Sequence, residues 1–261
     1  MFTEIDILGT GPVVVLLHSS LSSKEQWKGL VKQLSPNFTC ANVDLQGYGS
    51  MLNADIDYPY TLKCEVERIA ALLNNNQLFG PYYVVGHSFG GAVALRFADE
   101  FKEQVKALCV FEPVAFHLLV EEAPSRKQVS ELAVNMDNVP AYTAASIFTN
   151  YWNGEGYFDA LPQRIQKRLM AMIDKVAMDF DAIINETKTL LDYSVSISAN
   201  VLLMTGKQSR TAAKDVVNVI ETNLRHVRKV EIDAGHMAPL VRSELVNPVI
   251  VDYLHSNSQT T

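Results

Sequence analysis

The stretch Val84-Val85-Gly86-His87-Ser88-Phe89-Gly90-Gly91 decides the predicted fold of this chain. A β-branched pair leads into a GxSxG sequence, and a run of small residues typical of a helix follows at 91–95. This order of strand, sharp turn and helix is the one that a nucleophile elbow requires. Glycine suits the positions on both sides of Ser88, because a Cβ there would collide with backbone that the turn brings close. Ser88 is therefore the first candidate for a reactive residue.

Strand-like and helix-like segments alternate on both sides of this turn. Apolar or alternating runs typical of strands occupy residues 4–8, 13–17, 38–45, 82–86, 107–111, 200–206 and 229–232. Apolar residues recur at helical spacing between several of these runs, for example over 62–73 and 212–224. The alternation predicts a mostly parallel sheet with helices on both faces. The Gly-Thr-Gly-Pro sequence at 9–12 predicts a turn that joins the first two strands as a hairpin.

The alternation is interrupted between residues 114 and 199. No strong β run occurs there, and apolar residues such as Ile165, Leu169 and Met172 follow a helical spacing. We interpret 114–199 as a helical cap that is inserted into the core and lies over the sheet. The core domain is predicted to comprise residues 1–113 and 200–261.

Composition and charge restrict the function classes. The chain has 261 residues, 48% of them hydrophobic and 20% charged, which is typical of a globular protein. A net charge of −7 argues against a nucleic-acid partner and against attachment to an anionic membrane. With no secretory signal and no membrane-spanning apolar run visible, we expect a cytoplasmic protein that acts on a small molecule. No metal or cofactor is expected, and the sequence is compatible with a homodimer.

Reactive groups in open parallel sheets gather at the carboxyl ends of the strands. Ser88 follows one strand, and His236 follows the final strand and precedes the last helix. A serine hydroxyl is a poor nucleophile at neutral pH unless a base lies within hydrogen-bonding reach. We therefore predict that His236 is the base that activates Ser88.

Four segments in this order make the chain resemble the α/β hydrolase superfamily. Leu17-His18-Ser19-Ser20 resembles its HGx oxyanion loop, although Ser19 replaces the usual glycine. Asp44-Leu45-Gln46-Gly47-Tyr48-Gly49-Ser50 resembles its DxxGxGxS segment. Gly86 to Gly90 resembles its elbow, and Gly235-His236 resembles its histidine loop. The resemblance implies the α/β hydrolase fold, with a mostly parallel sheet of about eight strands and a helical cap between strands six and seven.

The same resemblance implies roles for individual residues. Ser88 would be the nucleophile, His236 the base, and the backbone N–H groups of Phe89 and Ser20 the donors of the oxyanion hole. The acid that many relatives place after the seventh strand corresponds to Ser209, which carries no negative charge to stabilise an imidazolium. Other relatives place the acid after the sixth strand, where this chain has Glu112.

Glu112 is accordingly our prediction for the acid. Asp215 is the alternative, although it falls within a predicted helix. The stretch 150–157 mixes aromatic residues with glycines and amides and is predicted to be a loop, in which Tyr151 and Trp152 face the substrate.

The predicted function is a serine hydrolase that cleaves a small, largely apolar ester or related acyl substrate through a Ser-His-Glu triad and an acyl-enzyme intermediate. Two alternatives remain open. The same triad supports a carbon-carbon bond hydrolase, a lyase or a cofactor-free haloperoxidase-type enzyme. The serine at 209 is instead compatible with a hydrolase-like binding protein that catalyses no reaction.

Overall fold

The computed structural model describes residues 3–258, and the ends of the predicted core domain, 1–2 and 259–261, lie outside the described residues. Its sheet has seven strands in the order β1-β3-β2-β4-β5-β6-β7. Only β1 is antiparallel to its neighbour, and all other pairs are parallel. The strands are β1 (Ile5–Leu8), β2 (Val13–Leu17), β3 (Thr39–Val43), β4 (Tyr82–His87), β5 (Val105–Phe111), β6 (Asn200–Gly206) and β7 (Val227–Ile232).

Two expectations about the sheet were wrong. The sheet has seven strands within the described residues, whereas the resemblance implied about eight. The first two strands do not form a hairpin, because β3 lies between them and β1 pairs with β3, with Ile5 opposite Val43. The turn at 9–12 packs against the segment that enters β3, since a Cβ on Gly9 would lie 2.3 Å from the Phe38 carbonyl oxygen. The turn residues at 9–12 predict that the chain changes direction there. Which strand β1 pairs with depends on contacts between residues far apart in sequence.

Both faces of the sheet are covered by helices. These are α1 (Lys28–Leu34), α2 (Leu62–Asn75), α3 (Phe89–Phe101), α10 (Thr211–Asn223), α11 (Ala238–Val241) and α12 (Ser243–Ser258). Successive residues of β2 point to opposite faces, so Val15 joins the cluster beneath α2 and α3, while Leu16 joins the cluster beneath α1 and α12. Both side chains are completely buried. Burial on both faces explains why β2 is a continuous apolar run rather than an alternating one.

Every regular element between β5 and β6 is a helix, as the sequence predicts for 114–199. Apart from a short 3₁₀ turn at Phe116–Leu118, they are α4 (Pro124–Met136), α5 (Ala141–Asn153), α6 (Tyr157–Ala160), α7 (Gln163–Met170), α8 (Ile173–Ile184) and α9 (Leu190–Ser196). This cap lies between the fifth and sixth strands of the sheet rather than between the sixth and seventh. The apolar cluster under α3 continues into it through Val176, Phe180 and Ile183. Within residues 3–258, no helix combines the length and the apolar character needed to cross a membrane.

Candidate active site

Ser88 lies in a sharp turn between β4 and α3. Its backbone has φ 55° and ψ −119°, a conformation that L-residues rarely adopt. The turn is stabilised because the Ser88 N–H donates to the Phe111 carbonyl oxygen at 3.1 Å. A Cβ on Gly86 would lie 2.4 Å from the Gly90 carbonyl oxygen, and one on Gly90 would lie 2.3 Å from that of His18. The close approach that the GxSxG sequence predicts is therefore present, and it leaves no space for a side chain at either glycine.

His236 connects Ser88 to a carboxylate. Its Nε2 lies 3.0 Å from Ser88 Oγ, and its Nδ1 lies 2.6 Å from Glu112 Oε2. The Glu112 carboxylate can only accept a hydrogen bond, so Nδ1 carries the proton and Nε2 is left to accept from the Ser88 hydroxyl. All three side chains are buried. The structure thus brings together the three residues predicted as nucleophile, base and acid.

Glu112 is held in place from the neighbouring strand. It follows β5 directly, with φ 43°, and its Oε1 accepts from Thr205 Oγ1 at 2.8 Å and from the Gly206 N–H at 2.7 Å. Burial alone would raise the pKa of the Glu112 carboxyl, but the hydrogen bond and charge of His236 and the Gly206 amide together hold this pKa below its ordinary value. Glu112 is therefore ionised at neutral pH and can orient an imidazolium.

The two other positions considered for the acid, 209 and 215, do not pair with His236. Ser209 lies in the loop after β6, where its N–H donates to the Gly206 carbonyl oxygen at 3.1 Å. Asp215 lies inside α10, as the sequence predicts. The Nδ1 of His236 pairs with Glu112 and not with either of these residues.

The predicted oxyanion donors lie on two elements beside Ser88. Phe89 is the first residue of α3, and the first N–H groups of a helix have no acceptor within the helix. Ser20 lies in the loop after β2 and lines the same cavity as Ser88. Its Oγ donates to Asp179 Oδ2 at 2.5 Å. Both residues are thus placed next to Ser88, and the role of their N–H groups as an oxyanion hole remains a prediction.

Two histidines near Ser88 have supporting roles. His18 Nε2 accepts from the Leu45 N–H at 3.0 Å, and burial lowers the pKa of His18 to about 4. His87 Nε2 donates to the His236 carbonyl oxygen at 2.9 Å. Burial and the neighbouring His236 hold the pKa of His87 well below its ordinary value. Both rings are therefore neutral at pH 7 and position backbone next to the site.

A largely apolar cavity of about 280 Å³ opens in front of Ser88 and His236. The indole of Trp152 stacks on the imidazole of His236, with ring centroids 3.8 Å apart and an interplanar angle of 22°. Trp152 therefore lies at the reacting groups, as predicted. The other apolar walls come from the cap, from the segment after His236 and from the loop after β2, namely Phe148, Tyr157, Leu161, Ile165, Leu169, Met237, Leu240, Val241 and Leu21.

Tyr151 differs from its prediction. Residues 150–153 belong to the end of α5 rather than to a loop, and helical geometry turns adjacent side chains to different sides. The ring of Tyr151 lies 4.9 Å from the Arg210 guanidinium and does not line the cavity next to Ser88. The glycines at 154 and 156 suggested a longer loop, but they occupy only the short connection between α5 and α6.

Sequence reasoning did not single out Asp179, which is completely buried on α8. Its Oδ2 accepts from Ser20 Oγ and from Tyr48 Oη, each at 2.5 Å, and its Oδ1 pairs with Lys175 Nζ. The available signal was the Lys175 and Asp179 pair at i, i+4 on an otherwise apolar helix face. No group of three or more His, Cys, Asp or Glu side chains between residues 3 and 258 is arranged to hold a metal ion.

Comparisons with known proteins identify the family of the chain. A sequence model described as alpha/beta hydrolase family matches residues 14–249. The chain is 35% identical over 145 residues to Lipase LipV of Mycobacterium tuberculosis, a match that covers 55% of the chain and 52% of that relative. It is 32% identical over 136 residues to the pimeloyl-(acyl-carrier protein) methyl ester esterase of Nitrosomonas europaea, covering 52% of the chain and 51% of that relative. The chain thus spans about half the length of these curated relatives.

A solved structure matches over nearly the whole chain. The crystal structure of a hydrolase from Pseudomonas aeruginosa PA01 superposes with a TM-score of 0.78, covering 96% of this chain and 93% of that chain at 20% identity. At this identity the likeness concerns the fold. Together with the family match, it confirms the predicted fold class.

Proposed function

Because the chain belongs to the alpha/beta hydrolase family, we propose that it is a serine hydrolase that cleaves a small, largely apolar ester. The observation that carries the proposal is the continuous hydrogen-bonded chain from Ser88 through His236 to Glu112. A serine, a histidine and a buried carboxylate in this arrangement provide a nucleophile, a base and an orienting acid.

The proposed reaction has two steps that use the same three residues. His236 Nε2 accepts the hydroxyl proton as Ser88 Oγ attacks the ester carbonyl carbon, and Glu112 stabilises the imidazolium. The N–H groups of Phe89 and Ser20 donate to the oxyanion of the tetrahedral intermediate. His236 then protonates the leaving alkoxide, which departs as the alcohol and leaves an acyl-enzyme. Water then attacks the acyl carbon while His236 Nε2 accepts its proton. His236 returns this proton to Ser88 Oγ as the acid is released, which regenerates the Ser88 hydroxyl.

The walls of the cavity support an apolar substrate. The side chains in front of Ser88 are mostly aliphatic and aromatic, and burial of apolar surface favours binding by roughly 25 cal/mol per Å². Both curated relatives named above carry names of ester-cleaving enzymes, a lipase and a methyl ester esterase. These names agree with an ester as the substrate class for this chain.

The nucleophile is tested with a fluorophosphonate probe and Ser88→Ala. We expect the wild type to be labelled and the variant to lose labelling completely while its circular dichroism spectrum is unchanged, because Ser88 Oγ is the attacking atom. The control is Ser130→Ala on α4, outside the cavity, which should label like the wild type. Undiminished labelling of Ser88→Ala would contradict the assignment of Ser88 as the nucleophile. A folded wild type that neither reacts with the probe nor cleaves esters would favour a binding protein.

The acid is tested with Glu112→Gln on short p-nitrophenyl esters. The amide cannot stabilise the imidazolium, so we expect kcat to fall by roughly 10²–10⁴-fold. The matched control is Glu103→Gln, an exposed glutamate just before β5, which should retain wild-type turnover. Full activity of Glu112→Gln would disprove the role of Glu112 without affecting that of Ser88.

A further inference from the structure

A second, much smaller cavity also borders Ser88. Its volume is about 20 Å³, compared with about 280 Å³ for the cavity described above. Ser20, Ser88, Phe148 and Trp152 line both cavities. His236 lines the large cavity, and it is not part of the lining of the small one.

We propose that the small cavity is the acyl subsite and that the enzyme is selective for acetyl-sized acyl groups, with the bulkier alcohol in the large cavity. This inference rests on the proposed function. The assignment of the two cavities follows from the proton transfer, because His236 Nε2 must reach the leaving oxygen in order to protonate it. The alcohol therefore leaves on the side that His236 lines, and the acyl group extends into the cavity that His236 does not line.

The size of the small cavity limits the acyl group. A space of about 20 Å³ accommodates little more than one water-sized probe, whose own requirement is about 10–15 Å³. The methyl group of an acetyl ester fits this space, whereas each further methylene requires the walls to move. Besides Phe148 and Trp152, which it shares with the large cavity, its apolar walls are Val114 and Phe116, just after β5, and Val176, Phe180 and Ile183 of α8.

The five apolar walls that the small cavity does not share with the large one resist expansion. All five of these apolar side chains are buried and belong to the same apolar cluster that packs on the sheet. Interiors of this kind are close-packed, so an added methylene displaces neighbours rather than filling free space. An unsuited methylene in such a pocket lowers kcat/KM by roughly 10–200-fold.

The small cavity offers an anionic acyl group no compensating charge. Apart from the two serines, its polar side chain is Asp179, whose carboxylate already accepts from Ser20, Tyr48 and Lys175. A carboxylate on the substrate would lose its hydration there and would find no unpaired cation, because Lys175 is already paired with Asp179. The subsite therefore selects neutral, very short acyl groups.

The test is the acyl-length profile of p-nitrophenyl esters from acetate to octanoate. We expect kcat/KM to be highest for acetate and at least about 10-fold lower for butyrate. Val176→Ala removes two methyl groups from the acyl subsite and should raise the butyrate-to-acetate ratio by about 10-fold. Leu240→Ala, in the wall of the large cavity, is the matched control. It should leave that ratio at the wild-type value and change the preference among acetate esters of different alcohols.

The outcomes separate this inference from the proposed function. If the wild type cleaves butyrate or octanoate faster than acetate, the acyl subsite is overturned while the proposed serine hydrolase stands. Faster cleavage of long-chain methyl esters than of acetate esters leads to the same conclusion. An unchanged ratio in a folded Val176→Ala overturns it as well. The wild-type profile suffices if that variant does not fold. Absence of both probe labelling and ester cleavage would overturn the proposed function itself.

Discussion

At the scale of single residues, Glu112 shows how a carboxylate can reach the proposed catalytic histidine from a different strand. Many members of the α/β hydrolase superfamily have an acid after the strand that corresponds to β6. This chain has Ser209 there, which carries no charge. Because β5 and β6 are neighbours, with Phe111 opposite Met204, Glu112 emerges beside the loop that contains Ser209. Its carboxylate accepts from the Gly206 N–H and reaches His236 from there. The carboxylate thus comes from an earlier position along the chain than in those superfamily members, but it still contacts the histidine.

The ionisation of Glu112 predicts a pH dependence of stability. Its pKa in the folded protein lies below the ordinary value of 4.5, so the carboxylate stabilises the fold above pH 4.5 and this contribution is lost as the pH falls through the lower, folded-state pKa. We expect the free energy of unfolding of the wild type, measured relative to that of Glu112→Gln, to decrease below pH 4.5. Urea denaturation of both proteins from neutral pH to about pH 3 measures the difference. A difference that is constant over this range would contradict the prediction.

At the scale of elements, the junction of β4 and α3 depends on close backbone approach. Gly90 belongs to the first turn of α3, and its Cα faces the carbonyl oxygens of Leu17 and His18 at the end of β2. The helix can approach the strand this closely only without a side chain at residue 90. The same approach places the N-terminus of α3 beside the loop that carries Ser20. Local sterics in the elbow therefore also determine the spacing of the proposed oxyanion donors.

Gly90→Ala should consequently be destabilising. Its Cβ would lie 2.3 Å and 2.4 Å from two backbone oxygens, so strand and helix must separate. We expect a loss of about 1–3 kcal/mol or more in the free energy of unfolding, measured by urea denaturation, together with loss of esterase activity. Gly29→Ala in α1 is the matched control, because its nearest neighbour would be at 3.4 Å and alanine favours a helix. Equal stability of the two variants would contradict this account of the elbow.

At the scale of the whole molecule, the cap and the sheet share one buried polar junction. Asp179 of α8 binds Ser20, which follows β2, and Tyr48, which lies beyond β3, while Lys175 balances its charge. The Lys175 ammonium also lies 4.0 Å from the centroid of the Tyr60 ring. This junction joins the cap to the loop that carries a proposed oxyanion donor. The position of α8 is therefore linked to that of the Ser20 loop through this junction.

Asp179→Asn tests how much this junction contributes to the free energy of unfolding. The variant removes the ion-pair partner of the buried Lys175, and loss of one partner of a buried ion pair costs about 3–5 kcal/mol. We expect a decrease of that size in the free energy of unfolding, measured by urea denaturation. Asp181→Asn, at an exposed position of the same helix, should change it by less than about 0.5 kcal/mol. Similar stabilities of the two variants would show that the junction contributes little.

The sequence by itself determined the elbow at Ser88, the alternation of strands and helices, the helical cap, and Ser88 and His236 as the proposed nucleophile and base. These features depend on local sterics, on periodic burial and on the convergence of strand ends, all of which are readable along the chain. Only the tertiary structure decided that β3 separates β1 from β2, that Trp152 rather than Tyr151 faces the cavity, and that Asp179 lies beneath Ser20. These outcomes depend on contacts between residues far apart in sequence. Strand order and side-chain direction are set by packing in three dimensions, which a linear pattern does not specify.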